Sequence, residues 1–218
     1  MNSKKNITVR ISESIGKISC ILTLPPNPVA IITLAHGAGA GMKHPFMESL
    51  ALQLADRSIT SLRFNFPYIE QGKRRPDVPA VAEKTVKQII EYASSEYSGL
   101  PLYVSGKSFG GRMTSQLLSK DSSSIVKGMV FFGFPLHAPG KPSIDRAAHL
   151  NDVNIPMLFL QGTRDALADI TLISKVVSKL SVATLVRLEG ADHSFKKGKE
   201  YLINELADET ARWVLATP

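Results

Sequence analysis

A chain of 218 residues has the length that one hydrophobic core can serve, so a second independent domain is not expected and residues 1–218 read as one unit. With 44% hydrophobic and 21% charged residues, the composition excludes a long disordered tract. The net charge of +7 raises the question of a nucleic-acid partner, but Lys73-Arg74-Arg75 and Lys196-Lys197 with Lys199 are short runs without interleaved aromatic residues, and none is expected.

From Lys5 to Leu24 apolar residues alternate, with Ile7, Val9 and Ile11 and then Ile18, Cys20 and Leu22 on one side, which predicts a half-buried antiparallel hairpin. A lone cysteine forms no intrachain disulfide, and Cys20 is expected to act as a small buried hydrophobe. No signal-peptide stretch follows Met1 and no apolar run is long enough for a bilayer, so the expectation is a cytoplasmic protein without membrane association. After Pro25, Pro26 and Pro28 the continuous apolar run Val29 to Ala35 predicts a strand buried on both faces.

Strands and helices then alternate. A helix starting at Pro45 carries Phe46, Leu50 and Leu54 one turn apart, and Ile59 to Phe64 reads as a strand. A loop holding Pro67, Gly72 and Pro76 precedes a helix marked by Ala82, Val86, Ile89, Ile90 and Ala93. The remaining strands are Leu102 to Ser105, Val126 to Phe132, Met157 to Leu160 and Ala183 to Leu188; the remaining helices are Phe109 to Leu118, Ile170 to Leu180 and a last one from about Lys199 to Leu215. This order predicts the α/β class: a mostly parallel central sheet, an antiparallel hairpin at its start, and helices on both faces. The stretch of roughly 20 residues from Phe134 to Ile155 leaves room for a short cap only.

Gly106-Lys107-Ser108-Phe109-Gly110-Gly111 stands directly after a predicted strand and before a predicted helix, the setting in which G-x-S-x-G forms a nucleophile elbow instead of a chance glycine turn. A serine hydroxyl needs a base, and the base needs an orienting acid. His193, in the loop Gly190 to Phe195 after the last strand, is placed for the first role, and Asp165, just past the strand ending at Leu160, for the second. The rival acids are Asp192, which adjoins the histidine, and Asp169, placed to cap the following helix. Developing negative charge on a carbonyl oxygen requires amide donors, expected from Phe109 and from Ala38 in the glycine-rich His36-Gly37-Ala38-Gly39-Ala40-Gly41. That run lacks the Gly-Lys-Ser/Thr end of a phosphate-binding loop. His36 is expected to support the loop, while Gly37 and His137 are the candidates for substrate contact; His137, Lys141 and Arg146 could face an anion, although a solvated basic face is the reading preferred for that segment. No cysteine cluster or H-E-x-x-H is present, so neither a metal nor a cofactor is expected.

The ordered Ser, Asp and His, together with His36 to Met47, Arg63-Phe64-Asn65-Phe66-Pro67-Tyr68, Gly106 to Met113, Gly133 to Pro142 and Gln161 to Asp165, resemble the α/β-hydrolase superfamily. Within it the chain is similar to small dienelactone-hydrolase-like proteins and to the KANSL/TEX-type hydrolase-like domain. The resemblance implies the α/β-hydrolase fold and a serine hydrolase of the carboxylesterase or thioesterase kind, forming an acyl-enzyme on Ser108 from a small acyl substrate. An acyltransferase using the same triad, or a scaffold that keeps the fold without turnover, are the alternatives. Asn65 stands where such relatives often carry an acidic residue, and Ser105 where glycine is common.

Overall fold

The computed structural model describes residues 1–121 and 124–217. Strands β1 (Ser3–Ser12) and β2 (Gly16–Leu24) form the antiparallel hairpin, with Ile7 opposite Cys20 and Val9 opposite Ile18. Alternation turns Val9, Ile11, Ile18, Cys20 and Leu22 inward, and burial raises the Cys20 thiol to about 12, which keeps it an unreactive apolar filler.

Six further strands, β3 (Ala30–Ala35), β4 (Ile59–Phe64), β5 (Leu102–Lys107), β6 (Val126–Phe132), β7 (Met157–Gly162) and β8 (Ala183–Leu188), run parallel to one another. The sheet order is β1-β2-β4-β3-β5-β6-β7-β8, with β2 antiparallel to β4. Every residue of β3 and β4 is buried, as expected of strands covered on both faces.

Successive residues of the central strands feed two separate cores. Ile31, Val104, Phe131 and Phe159 pack under α3 (Pro79–Glu96), α4 (Phe109–Leu118) and α5 (Ile170–Val177), whereas Ile32, Leu34, Val130 and Leu158 pack under α1 (Pro45–Ala55) and α6 (Ile203–Ala216). This is the doubly covered sheet that the alternating pattern predicts, and it brings the carboxyl ends of β3, β5 and β7 to one rim.

Three expectations change in detail. The stretch read as a loop after β4 contains a short helix α2 (Pro67–Glu70), begun by a proline in the first turn and held by the Asp77 carboxylate, which accepts from the Tyr68 amide at 3.0 Å. The last helix starts at Ile203, not near Lys199, because Gly198, with φ of 62°, turns the chain into a small hairpin of β9 (Lys196–Lys197) and β10 (Glu200–Tyr201). The segment from Phe134 to Ile155 holds a 3₁₀ stretch at Asp145–Asp152 whose Ala147 and Leu150 join the core. Among the described residues no helix is long and apolar enough to cross a membrane, and no group of His, Cys, Asp and Glu could hold a metal ion.

Candidate active site

Ser108 sits between β5 and α4 with φ of 50° and ψ of −112°, a backbone region that side-chain-bearing residues rarely occupy. Two glycines permit it. A β-carbon on Gly106 would stand 2.2 Å from the Gly111 nitrogen, and one on Gly110 would stand 2.6 Å from the Ala35 carbonyl oxygen. The strained turn lifts the serine hydroxyl clear of the sheet while the helix behind it closes against β3.

His193 Nε2 lies 2.9 Å from Ser108 Oγ, and His193 Nδ1 lies 2.7 Å from Asp165 Oδ2. The network fits one tautomer, in which Nδ1–H donates to the carboxylate and Nε2 accepts from the hydroxyl. Asp165 is 6% exposed, and its carboxylate takes two further bonds, from Gln161 Nε2 at 2.6 Å and from the Leu167 amide at 2.7 Å. Both oxygens are therefore fixed before any substrate arrives. Neither rival acid reaches the imidazole: Asp169 caps α5 through the Thr171 and Leu172 amides, and Asp192 Oδ1 accepts from the Ser194 and Lys196 amides of its own turn.

The loop after β3 is braced by one downstream segment. His36 Nδ1 donates to the Gly37 carbonyl at 2.8 Å and its Nε2 accepts from the Phe66 amide at 3.1 Å. Burial lowers the His36 imidazole to about 4, so it stays neutral and can serve both bonds. The Tyr68 hydroxyl donates to the Ala38 carbonyl at 2.7 Å, Arg63 Nη1 donates to the Met42 carbonyl at 2.9 Å, and Asn65 Oδ1 accepts from the Met42 amide at 2.8 Å. Asn65 Nδ2 in turn donates to Glu70 at 2.8 Å, so a carboxylate does stand beside this position, supplied by α2.

The bracing has a stereochemical result. The Gly37 carbonyl is held by His36 and by the Ala40 amide at 3.2 Å, and across a planar trans peptide the Ala38 N–H points the opposite way. Among the described residues neither the Ala38 nor the Phe109 amide has a protein acceptor. Gly37 packs against the elbow, where a β-carbon would be 3.8 Å from Ser108 Cβ. Two free amides beside one hydroxyl are what a negatively charged tetrahedral oxygen requires.

A cavity of about 410 Å³ opens onto Ser108 and His193, walled by Gly37, Ala38, Phe46, Met47, Leu167 and Tyr201. His137, expected to meet substrate, is not in its lining; the residue is buried, its Nδ1 lies 2.9 Å from the Ala138 carbonyl, and its Nε2 accepts from the Asp169 amide at 2.9 Å. With both nitrogens engaged it ties the Phe134 to Ile155 segment to the loop after β7. Lys141 and Arg146 also lie outside the lining, since that segment packs beside α4 and does not cover the cavity. The pocket walls come instead from the start of α1, from Leu167 and from the β9–β10 hairpin.

Sequence reasoning assigned no role to Gln161, Tyr68 or Lys107. Gln161, fully buried, bridges Asp165 to the Phe134 amide, which its Oε1 accepts at 2.9 Å. The one signal for it was an amide side chain ending an otherwise apolar strand.

The fold has counterparts among solved structures. A dienelactone hydrolase from Anabaena variabilis superposes with a TM-score of 0.79 at 17% identity, covering 99% of this chain and 98% of that one. A lidless α/β serine hydrolase from Xanthomonas campestris gives 0.77 at 21% identity, with 99% and 97% covered. An α/β serine hydrolase homologue from Coxiella burnetii gives 0.76 at 19% identity, with 96% and 97% covered. At such identities these likenesses speak for the fold. The model of the alpha/beta hydrolase domain matches residues 28–214, most of the chain including the elbow, the acid and the histidine, and the protein belongs to that family.

Proposed function

We propose that the protein is a serine hydrolase that cleaves carboxylic esters or thioesters through an acyl-enzyme on Ser108. The observation that carries this reading is the continuous chain Ser108 Oγ, His193 imidazole, Asp165 carboxylate at 2.9 and 2.7 Å, opening on a cavity with two unpartnered amides. In the first half-reaction His193 Nε2 takes the Ser108 proton as Oγ bonds to the substrate carbonyl carbon, and the electron pair moves onto the carbonyl oxygen between the Ala38 and Phe109 amides. The intermediate collapses when His193 returns that proton to the departing alcohol or thiol. Water then attacks the acyl carbon as His193 takes its proton, and His193 passes that proton to Ser108 Oγ as the C–Oγ bond breaks and the acid leaves.

A mostly apolar cavity of about 410 Å³ suits a small or medium acyl group. The test is a panel of esters and thioesters of graded acyl length, run on the wild type and on Ser108→Ala. A loss of at least about a thousandfold in turnover is expected for the variant. Turnover by Ser108→Ala near the wild-type rate would refute the assignment.

A further inference from the structure

Lys107, the residue immediately before the elbow serine, is half-buried on the wall of the cavity, and its ammonium reaches the histidine turn. Its Nζ lies 2.5 Å from the His193 carbonyl oxygen, 5.1 Å from the Phe195 ring centroid and 6.0 Å from that of Phe46. The two rings stack with centroids 6.0 Å apart, and Phe195 holds its place with φ of 59°, a strained value for a phenylalanine. Gly133 closes the slot: a β-carbon there would be 3.2 Å from Nζ and 3.6 Å from His193 Cε1.

In the turn from Gly190 to Phe195 the other residues brace one another, with Asp192 accepting from the Ser194, Phe195 and Lys196 amides. The His193 carbonyl has a single partner among the described residues, and that partner is Lys107. Adjacent residues of the elbow thus grip the same histidine at two points. Ser108 meets its imidazole and Lys107 its main chain.

Resting on the reading of His193 as general base, we propose that Lys107 is a positioning residue: its ammonium fixes the main chain of His193 so that the imidazole reaches the Ser108 hydroxyl. The chemistry suits a cation. A charged donor gives a stronger bond to a carbonyl than a neutral one, and the faces of two aromatic rings tolerate an ammonium where they would not tolerate an anion. The arrangement also has a cost. Burial lowers the Lys107 amine to about 8, against the opposing pull of Asp165 and Asp192, so the folded protein carries a cation in a site that disfavours it.

The test uses Lys107→Met, which retains an unbranched stem in the aromatic slot and removes the donor. Two p-nitrophenyl esters of equal acyl length are compared, one neutral and one bearing a terminal carboxylate, alongside inactivation by a neutral fluorophosphonate and a thermal melt. Expected are a kcat about 10- to 100-fold lower on both esters, KM within about twofold of wild type, inactivation slowed by a similar factor, and a melting temperature no lower than wild type. Should the Met variant not fold, Lys107→Gln serves for the same comparison.

A kcat on the neutral ester within twofold of wild type would overturn the proposal. So would a loss confined to KM of the carboxylate-bearing ester, which would make the ammonium a counter-ion for substrate. Ser108→Ala run in the same assay separates the two readings: if that variant keeps its turnover, the hydrolase assignment fails, whereas if only it is inactive, the lysine's role alone fails.

Discussion

The molecule holds two serine–histidine pairs of nearly equal length, and only one of them opens on a cavity with a carboxylate behind its imidazole. His193 Nε2 is 2.9 Å from Ser108 Oγ, and His149 Nε2 is 2.8 Å from Ser115 Oγ, one helix away. Ser108 faces a cavity, whereas Ser115 is fully buried inside α4 and its hydroxyl also bonds the Arg112 carbonyl at 3.0 Å. His193 has a buried carboxylate on its second nitrogen. His149 has no such partner, and burial together with the Arg112 guanidinium lowers its imidazole to about 4. A short Ser–His distance is thus a packing solution as readily as a catalytic one. What separates the two is the third group and the space in front of the hydroxyl.

The largest expected effect tests the third group. Asp165→Asn keeps the shape of the site and removes the acceptor that selects the Nδ1–H tautomer; a fall in kcat of about a thousandfold or more is expected in the ester assay. Asp152→Asn, on the side of the inert pair, should leave kcat within about twofold. Equal effects of the two substitutions would erase the distinction. The support behind the acid comes next. Gln161→Leu removes one of the bonds to Asp165 Oδ2 and orphans the Phe134 amide, so kcat should fall about 10- to 100-fold with little change in KM.

Much of this architecture is legible in the sequence, and for physical reasons. A short run such as Val29 to Ala35, apolar but for Thr33, preceded by prolines and rich in β-branched residues, reads as a strand covered on both faces, and glycines at 106 and 110 stand where backbone meets backbone, so the sheet centre and the elbow are legible from residue type and position. Ser108, Asp165 and His193 are readable because each follows a recognisable strand and so arrives at the same rim. What is not readable depends on side-chain direction across long separations. His137 reads as a cavity residue on charge and position, yet its ring turns inward to the Asp169 amide 32 residues on. Lys107 carries no sequence signal beyond its place in the elbow, and only the fold shows it reaching residue 193. Tyr68 bonds the Ala38 carbonyl from a short helix whose four residues carry no periodic signal.

The acid limb of stability offers a smaller and separate test. His36 and His149 are both held near 4 by burial against an ordinary value of 6.5, so between those pH values the unfolded chain binds protons that the folded chain refuses. The contribution is fully present above about pH 6.5, declines as pH falls, and is exhausted near pH 4. For the fully buried His36 it amounts to about 3 kcal/mol, a sizeable share of a typical domain's stability. Urea unfolding followed from pH 7 to 4.5 should show the decline, and His149→Gln should make it shallower without altering turnover at pH 7.

Ser115→Ala removes the hydroxyl of the second pair, leaving the His149 nitrogen without that bond inside a packed helix interface. The unpaired polar atom should cost about 1–3 kcal/mol of stability in urea melts. Because the hydroxyl never faces a space where a carbonyl carbon could approach, kcat at pH 7 should stay within about twofold of wild type. A drop of tenfold or more with the fold intact would mean that the two pairs are coupled through α4, which carries Ser115 and has Ser108 at its N-terminal cap, and the inert pair would then belong to the reactive one.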